Sequence, residues 1–133
     1  MRVLTQIGLV AFGSALGGLL RWGVGLAAAR WLGSGFPWGT FIINMTGCLF
    51  LGWFATLLGD RVLNNLAWLN ADDLRLMISI GFTGAYTTFS TFEYEANGLI
   101  KEGDGFLGLT YIFASVFVGL VAVRLGVYLV RWK

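Results

Sequence analysis

Four stretches of apolar residues, separated by polar punctuation, organise the chain. The first runs from Val3 to Leu20, is interrupted by Arg21 and resumes from Trp22 to Ala29. The second, Trp38 to Leu58, carries no charge. A third goes from Leu74 towards Ile100, and a fourth from Phe106 to Val130, with Arg124 near its end. A helix needs about 20 residues to cross the hydrocarbon core of a bilayer, and each stretch meets that length. The pattern predicts an all-α membrane protein with one four-helix domain over residues 1–133 and spans at about 3–30, 38–58, 74–100 and 106–130. Gly33-Ser34-Gly35-Phe36-Pro37 and Lys101 to Gly105 read as turns. Asp60 to Arg75 holds most of the mid-chain charge. Within it, Leu63, Leu66, Ala67, Trp68 and Leu69 suggest a short interfacial piece, and Asn70-Ala71-Asp72-Asp73 reads as a helix start with acids in its first turn.

The third stretch is the irregular one. Its uncharged part ends in Gly81-Phe82-Thr83-Gly84-Ala85-Tyr86-Thr87-Thr88-Phe89-Ser90-Thr91-Phe92. Gly81 and Gly84 weaken a helix, and Thr83, Thr87 and Thr88 form helices poorly but offer hydroxyls to loosened backbone groups. The third helix is therefore expected to break near its middle. A break leaves carbonyls that suit a cation at the end of one half and amides that suit an anion at the start of the next. With helix from Ser90 onward, Phe89 and Phe92 share a face, and their electropositive ring edges suit an anion. The ordinary alternative is Ser and Thr bonded back to the preceding turn, with the rings packed on lipid or neighbours.

Other polar residues in apolar runs have two readings each. Asn44 is either an interhelical hydrogen bond or a donor to a permeating anion. Arg21 either snorkels to the interface or forms a cationic vestibule. Tyr111 and Ser115, four apart on one helix face, are either a hydroxyl stripe lining a path or two polar side chains in a packed bundle. Gly13-Ser14-Ala15-Leu16-Gly17-Gly18 gives the first helix a small face for close contact.

Composition narrows the classes. With 57% hydrophobic and 12% charged residues over 133 positions, the chain has more apolar surface than a soluble domain of this size hides. Ala27-Ala28-Ala29 resembles a signal-peptidase site, but the apolar stretch before it is too long and contains Arg21, so an uncleaved membrane helix is expected. The absence of His and the single Cys48 exclude an internal disulfide and a Cys/His zinc site. A net charge of +2 without a basic cluster gives no reason to expect nucleic acid. No span has an acid in its middle that could serve with a base, so no enzyme is expected. Four spans put both termini and the middle loop on one side, with five cations (Arg2, Arg61, Arg75, Arg131, Lys133) against Arg30 and Lys101 on the other. That bias only leans towards cytoplasmic termini.

Certain motifs resemble those of a known family. Gly35-Phe36-Pro37-Trp38-Gly39-Thr40 followed by Asn44 and Gly47, Gly84 with Thr87-Thr88-Phe89-Ser90-Thr91-Phe92, and Gly17 with Arg21 resemble the signatures of the CrcB/Fluc fluoride channels. The resemblance covers the whole length. It implies passive export of fluoride from the cytoplasm across a bacterial plasma (inner) membrane, by an antiparallel, dual-topology homodimer with two pores and a central structural sodium ion. By motif position it implies a fluoride pathway of Asn44, Phe89, Phe92, Ser90, Thr91, Tyr111 and Ser115, with Arg21 near the vestibule mouth. Gly84 and Thr87 would give backbone carbonyls to sodium, and Glu95 matches a family acid. Two departures are Gly119, where some members continue the polar track with Ser, and Glu93, where Ser is usual. The rival expectation is a small proton-coupled multidrug-type exporter, which needs a carboxylate in its first helix; Val3 to Ala29 has none. A membrane protein whose hydroxyls serve packing alone is the third.

Overall fold

Turn residues and caps divide the chain where the pattern places its punctuation. The computed structural model describes residues 2–62 and 70–132, and every regular element among them is helical. Helix α1, Arg2–Leu32, stops at Gly33, whose φ of +77° is the left-handed conformation that ends a helix cheaply only at glycine. Helix α2, Trp38–Leu57, starts after Pro37 and widens into a π-type turn over Leu58–Val62. The interfacial piece expected at Leu63 to Leu69 lies outside the described residues. Asn70 then caps α3, Ala71–Leu74, by accepting the Asp72 N–H at 3.1 Å, with Asp72 and Asp73 in the first turn as the pattern predicts.

The third stretch continues through wide π-type turns, Arg75–Thr83, into the short α4, Gly84–Tyr86, and is then interrupted. Helix α5, Phe89–Lys101, follows. Gly103, at φ +95°, turns the chain into α6, Gly105–Arg131. Among the described residues, three segments are long and apolar enough to cross a bilayer: Arg2–Leu32, Trp38–Asp60 and Gly105–Arg131. The third stretch is split, and the 13 residues of α5 extend only about 20 Å against the roughly 30 Å of a hydrocarbon core.

Glycines bring the helices into backbone contact. A Cβ at Gly13 would fall on the Met77 carbonyl, one at Gly17 on the Phe82 carbonyl, and one at Gly81 would press on the Val10 carbonyl. The small face of α1 therefore lies directly on the third stretch. Helices α2 and α6 meet the same way: a Cβ at Gly52 would strike the Val123 carbonyl, and one at Gly126 the Leu49 carbonyl and Trp53 nitrogen. Between apolar helices in lipid there is little hydrophobic drive, so close packing of this kind holds them together.

The outward faces differ. Helix α1 exposes Leu4, Ile7, Leu19 and Trp22, and α6 exposes Phe113, Phe117, Leu120 and Val121. Helix α5 exposes Ser90, Glu93, Tyr94 and Asn97 instead.

Candidate functional site

The interruption lies at Thr87 and Thr88, one step beyond the glycines that mark it in the sequence. Gly84 keeps helical angles (φ −63°, ψ −36°), whereas Thr87 (φ −83°, ψ 160°) and Thr88 (φ −151°, ψ 121°) are extended. Threonine chemistry explains both ends. The Thr87 N–H and hydroxyl both bond the Thr83 carbonyl, at 3.0 and 2.9 Å, closing the first half. The Thr88 hydroxyl accepts the Thr91 N–H at 3.3 Å, which caps the second half.

Extended peptide groups at bilayer depth need partners, since each unpaired group costs several kcal/mol on an order-of-magnitude scale. Helix α2 supplies them. Asn44 Oδ1 accepts the Thr88 N–H at 2.9 Å, and Asn44 Nδ2 donates to the Thr88 carbonyl at 3.0 Å. Thr46 and the Tyr86 hydroxyl bond at 2.8 Å. A Cβ at Gly47 would collide with the Thr87 methyl group, so glycine is what lets α2 approach. Asn44 is thus an interhelical hydrogen-bonding residue. Its second amide hydrogen has no partner among the described residues.

Beside this junction lies a groove of about 280 Å³, walled by Asn44, Thr87, Thr88, Phe89, Phe92 and Ser115, with Met45 and Cys48 along α2. The Phe89 and Phe92 rings stand 5.9 Å apart at 50°. Phe92 is buried, while Phe89 is 74% exposed. The Ser115 hydroxyl is buried and has no hydrogen-bond partner among the described residues. The groove therefore gathers one amide donor, one unpaired hydroxyl, two aromatic rings and the first turn of α5. Position 119 adds nothing polar, and Met45 and Cys48 lie 3.4 and 3.6 Å from where its Cβ would be.

A larger hollow, about 650 Å³, lies beside it and contains Arg21, Thr40, Thr91, Glu95 and Glu102. Thr88 lines both spaces. Tyr111 belongs to neither lining. It is fully buried, edge-on to Phe36 and Phe92 with centroids 5.1 Å away in each case. Its hydroxyl donates to Glu95 at 2.9 Å, and Thr40 donates to the other Glu95 oxygen at 2.8 Å. Within one chain Tyr111 and Ser115 therefore serve different surroundings despite their shared helix face. Ser90 is exposed, and Glu93 is exposed and lines neither space.

Among the described residues, no cluster of acids or thiols offers a side-chain metal site. The interruption does free carbonyls. In a continuous helix the Thr88 N–H would reach the Gly84 carbonyl and the Thr91 N–H the Thr87 carbonyl. Here those donors go to Asn44 and to the Thr88 hydroxyl. The Gly84 and Thr87 carbonyls thereby lose the donors a continuous helix would give them, and Gly84 is exposed.

The sequence model of the family described as "CrcB-like protein, Camphor Resistance (CrcB)" matches residues 8–127. The chain belongs to the CrcB family. It is similar to the "Fluoride-specific ion channel FluC" of Chloroflexus aurantiacus, with 43% identity over 123 residues, covering 92% of this chain and 93% of the relative. Relatives of the same name come from Rhizobium johnstonii, 42% identical over 92% of this chain and 94% of theirs, and from Dehalococcoides mccartyi, 40% identical over 93% and 91%. This CrcB chain is accordingly a multi-pass membrane protein. Of its sequence-read residues, the fold collects Asn44, Phe89, Phe92, Ser115 and Thr87 in one groove, and Arg21 with Thr91 in the next. Sequence reasoning missed the Asn44–Thr88 backbone pair and the tether of Glu95 by Thr40 and Tyr111. The Asn44-to-Gly47 spacing was the available signal for the first. Nothing local to Tyr111 signals the second.

Proposed function

We propose that this CrcB-family chain is a passive, fluoride-selective channel that lets fluoride leave the cytoplasm down its gradient across a bacterial plasma membrane. The observation that carries the reading is the groove in which Asn44, the unpartnered Ser115 hydroxyl, Phe89 and Phe92 meet at the start of α5. Fluoride is small and strongly hydrated, so a path must replace its water with donors. A hydrogen bond to a charged group contributes about 1.5–3 kcal/mol, so a second amide hydrogen and an unpaired hydroxyl matter. Ring edges and the electropositive helix start add to them. Chloride, being larger and a weaker acceptor, gains less from the same donors. Arg21, which no acid among the described residues pairs, would raise the anion concentration in the adjoining hollow.

The working unit in this proposal is an antiparallel, dual-topology homodimer with two pores, in which the split third stretch serves as a fourth span. Two features support it. Phe89, in the lining of the groove, is 74% exposed, so a large aromatic surface there is left to be covered. The polar outer face of α5 is also costly against lipid and calls for a covering surface. A sodium ion held by the Gly84 and Thr87 carbonyls fits the same unit, since two oxygens per chain become four across a two-fold axis. Sodium would supply fixed positive charge near an anion path.

Purified protein in liposomes tests the reading. Fluoride should escape far faster than chloride, with no proton gradient applied. Equal leakage of both ions, or none, overturns it, and flux that requires a proton gradient returns the exporter reading.

A further inference from the structure

The Asn44 carboxamide meets Thr88 as a neighbouring peptide group would, taking its N–H and giving to its carbonyl. In an unbroken helix that N–H would close on the Gly84 carbonyl. Two acceptors thus compete for one donor, and Asn44 has won it. The rest of α2 secures the outcome: Thr46 holds Tyr86, and Gly47 admits Thr87 where any Cβ would collide. Asn44, Thr46 and Gly47 therefore act as a set, anchoring Tyr86 at the end of α4 and holding Thr87 and Thr88 away from helical geometry.

Resting on the sodium reading above, we infer that Asn44 is a positioning residue for the cation: by capturing the Thr88 N–H it keeps the Gly84 carbonyl available to sodium. The pair and the ion are then linked. Sodium on Gly84 disfavours return of the Thr88 N–H, and the Asn44 pair disfavours the helical form that would exclude sodium. By reciprocity each stabilises the other by the same factor. One side chain then serves both ions, facing the anion groove with its spare amide hydrogen and preparing the cation site through the backbone.

The test uses the full chain in detergent, purified without sodium. Gly84-Ala85 is the sole Gly-Ala step in the sequence, so carbonyl-¹³C glycine with ¹⁵N-alanine makes the Gly84 carbonyl uniquely visible by NMR. Sodium replacing potassium at constant ionic strength should move that resonance to saturation. A resonance that never moves overturns the sodium reading and the inference with it. In Asn44→Ala the midpoint should rise about tenfold, the equivalent of one typical net hydrogen bond. Asn44→Leu, which keeps the number and branching of the Asn side-chain heavy atoms, replaces that variant if it does not fold. Asn44→Asp retains an oxygen for the Thr88 N–H in either protonation state, and its charge when ionised attracts a cation, so its midpoint should not rise above about threefold the native one, well under that hydrogen-bond equivalent. An alanine or leucine midpoint equal to the native one, or an aspartate midpoint raised as far as alanine's, overturns the role of Asn44 and leaves the sodium reading standing.

Discussion

Helix α2 meets two neighbours by opposite means. Along α6 it relies on bare backbone approach, with Gly52 against Val123 and Gly126 against Leu49 and Trp53. Along the third stretch it uses hydrogen bonds, from Asn44 to Thr88 and between Thr46 and Tyr86. The difference follows from the partner's backbone. A regular helix such as α6 has already paired its peptide groups, so only dispersion and fit remain to be gained. An interrupted segment still has peptide groups to satisfy, and in a membrane only protein can satisfy them. Fit governs one seam and valence the other.

The largest effect should come from breaking the fitted seam. Gly126→Leu places its Cβ on the Leu49 carbonyl oxygen and should cost about 3 kcal/mol or more, since overpacking a tight contact typically costs 1–3. The check is the thermal unfolding midpoint and the folded fraction on size exclusion; an unchanged midpoint would mean the helices do not meet there. Next is the paired seam. Asn44→Leu should lower fluoride flux by roughly 10- to 100-fold, the equivalent of one hydrogen bond to an anion, measured by electrode on liposomes. Flux at the native rate would make Asn44 a packing residue only.

The two phenylalanines sharpen the contrast further. Phe92 packs edge-on with Tyr111 and is buried, whereas Phe89 is largely exposed. Isoleucine at either position keeps apolar bulk but removes the ring edge, so both should slow fluoride. Both lose the Phe89–Phe92 pair, but Phe92→Ile should destabilise the fold more, by about 1 kcal/mol from the additional loss of the Tyr111 contact. Equal stability losses would show that Phe89 is covered. The smallest effect is expected at Gly119, whose Cβ would stand at ordinary contact distance from Met45 and Cys48. Gly119→Ser should change stability by less than about 1 kcal/mol, in contrast to Gly126 seven residues on.

Much of the architecture could be read from the chain because it follows from local physics. Apolar length marked α1, α2 and α6, and Asn70 with its following acids marked the start of α3. Asn44 stood out because a carboxamide in hydrocarbon must be doing something. Glycines and threonines together predict the interruption, and the structure gives Gly81 a different task. Gly81 is helical and buried because α1 rests its Val10 carbonyl there, while the threonine hydroxyls end one half and begin the next. Partners were beyond reach. That Asn44 would choose Thr88, or Tyr111 choose Glu95, depends on which helix faces meet, and neither pairing has a local cause.

The thirteen residues of α5 also bear on how the protein enters its membrane. A charged side chain at the middle of an inserting helix costs about 2.5–3.5 kcal/mol, and α5 carries Glu93 and Glu95 in a segment already too short to span. Insertion machinery would therefore retain α1, α2 and α6 on their own merits and leave α5 at the interface. Docking against α6 and the first turn of α2, where Tyr111 and Thr40 respectively can receive Glu95, would draw it inward afterwards. The polar groups gathered at the interruption would thus also set the order in which the pieces of the chain become membrane-embedded.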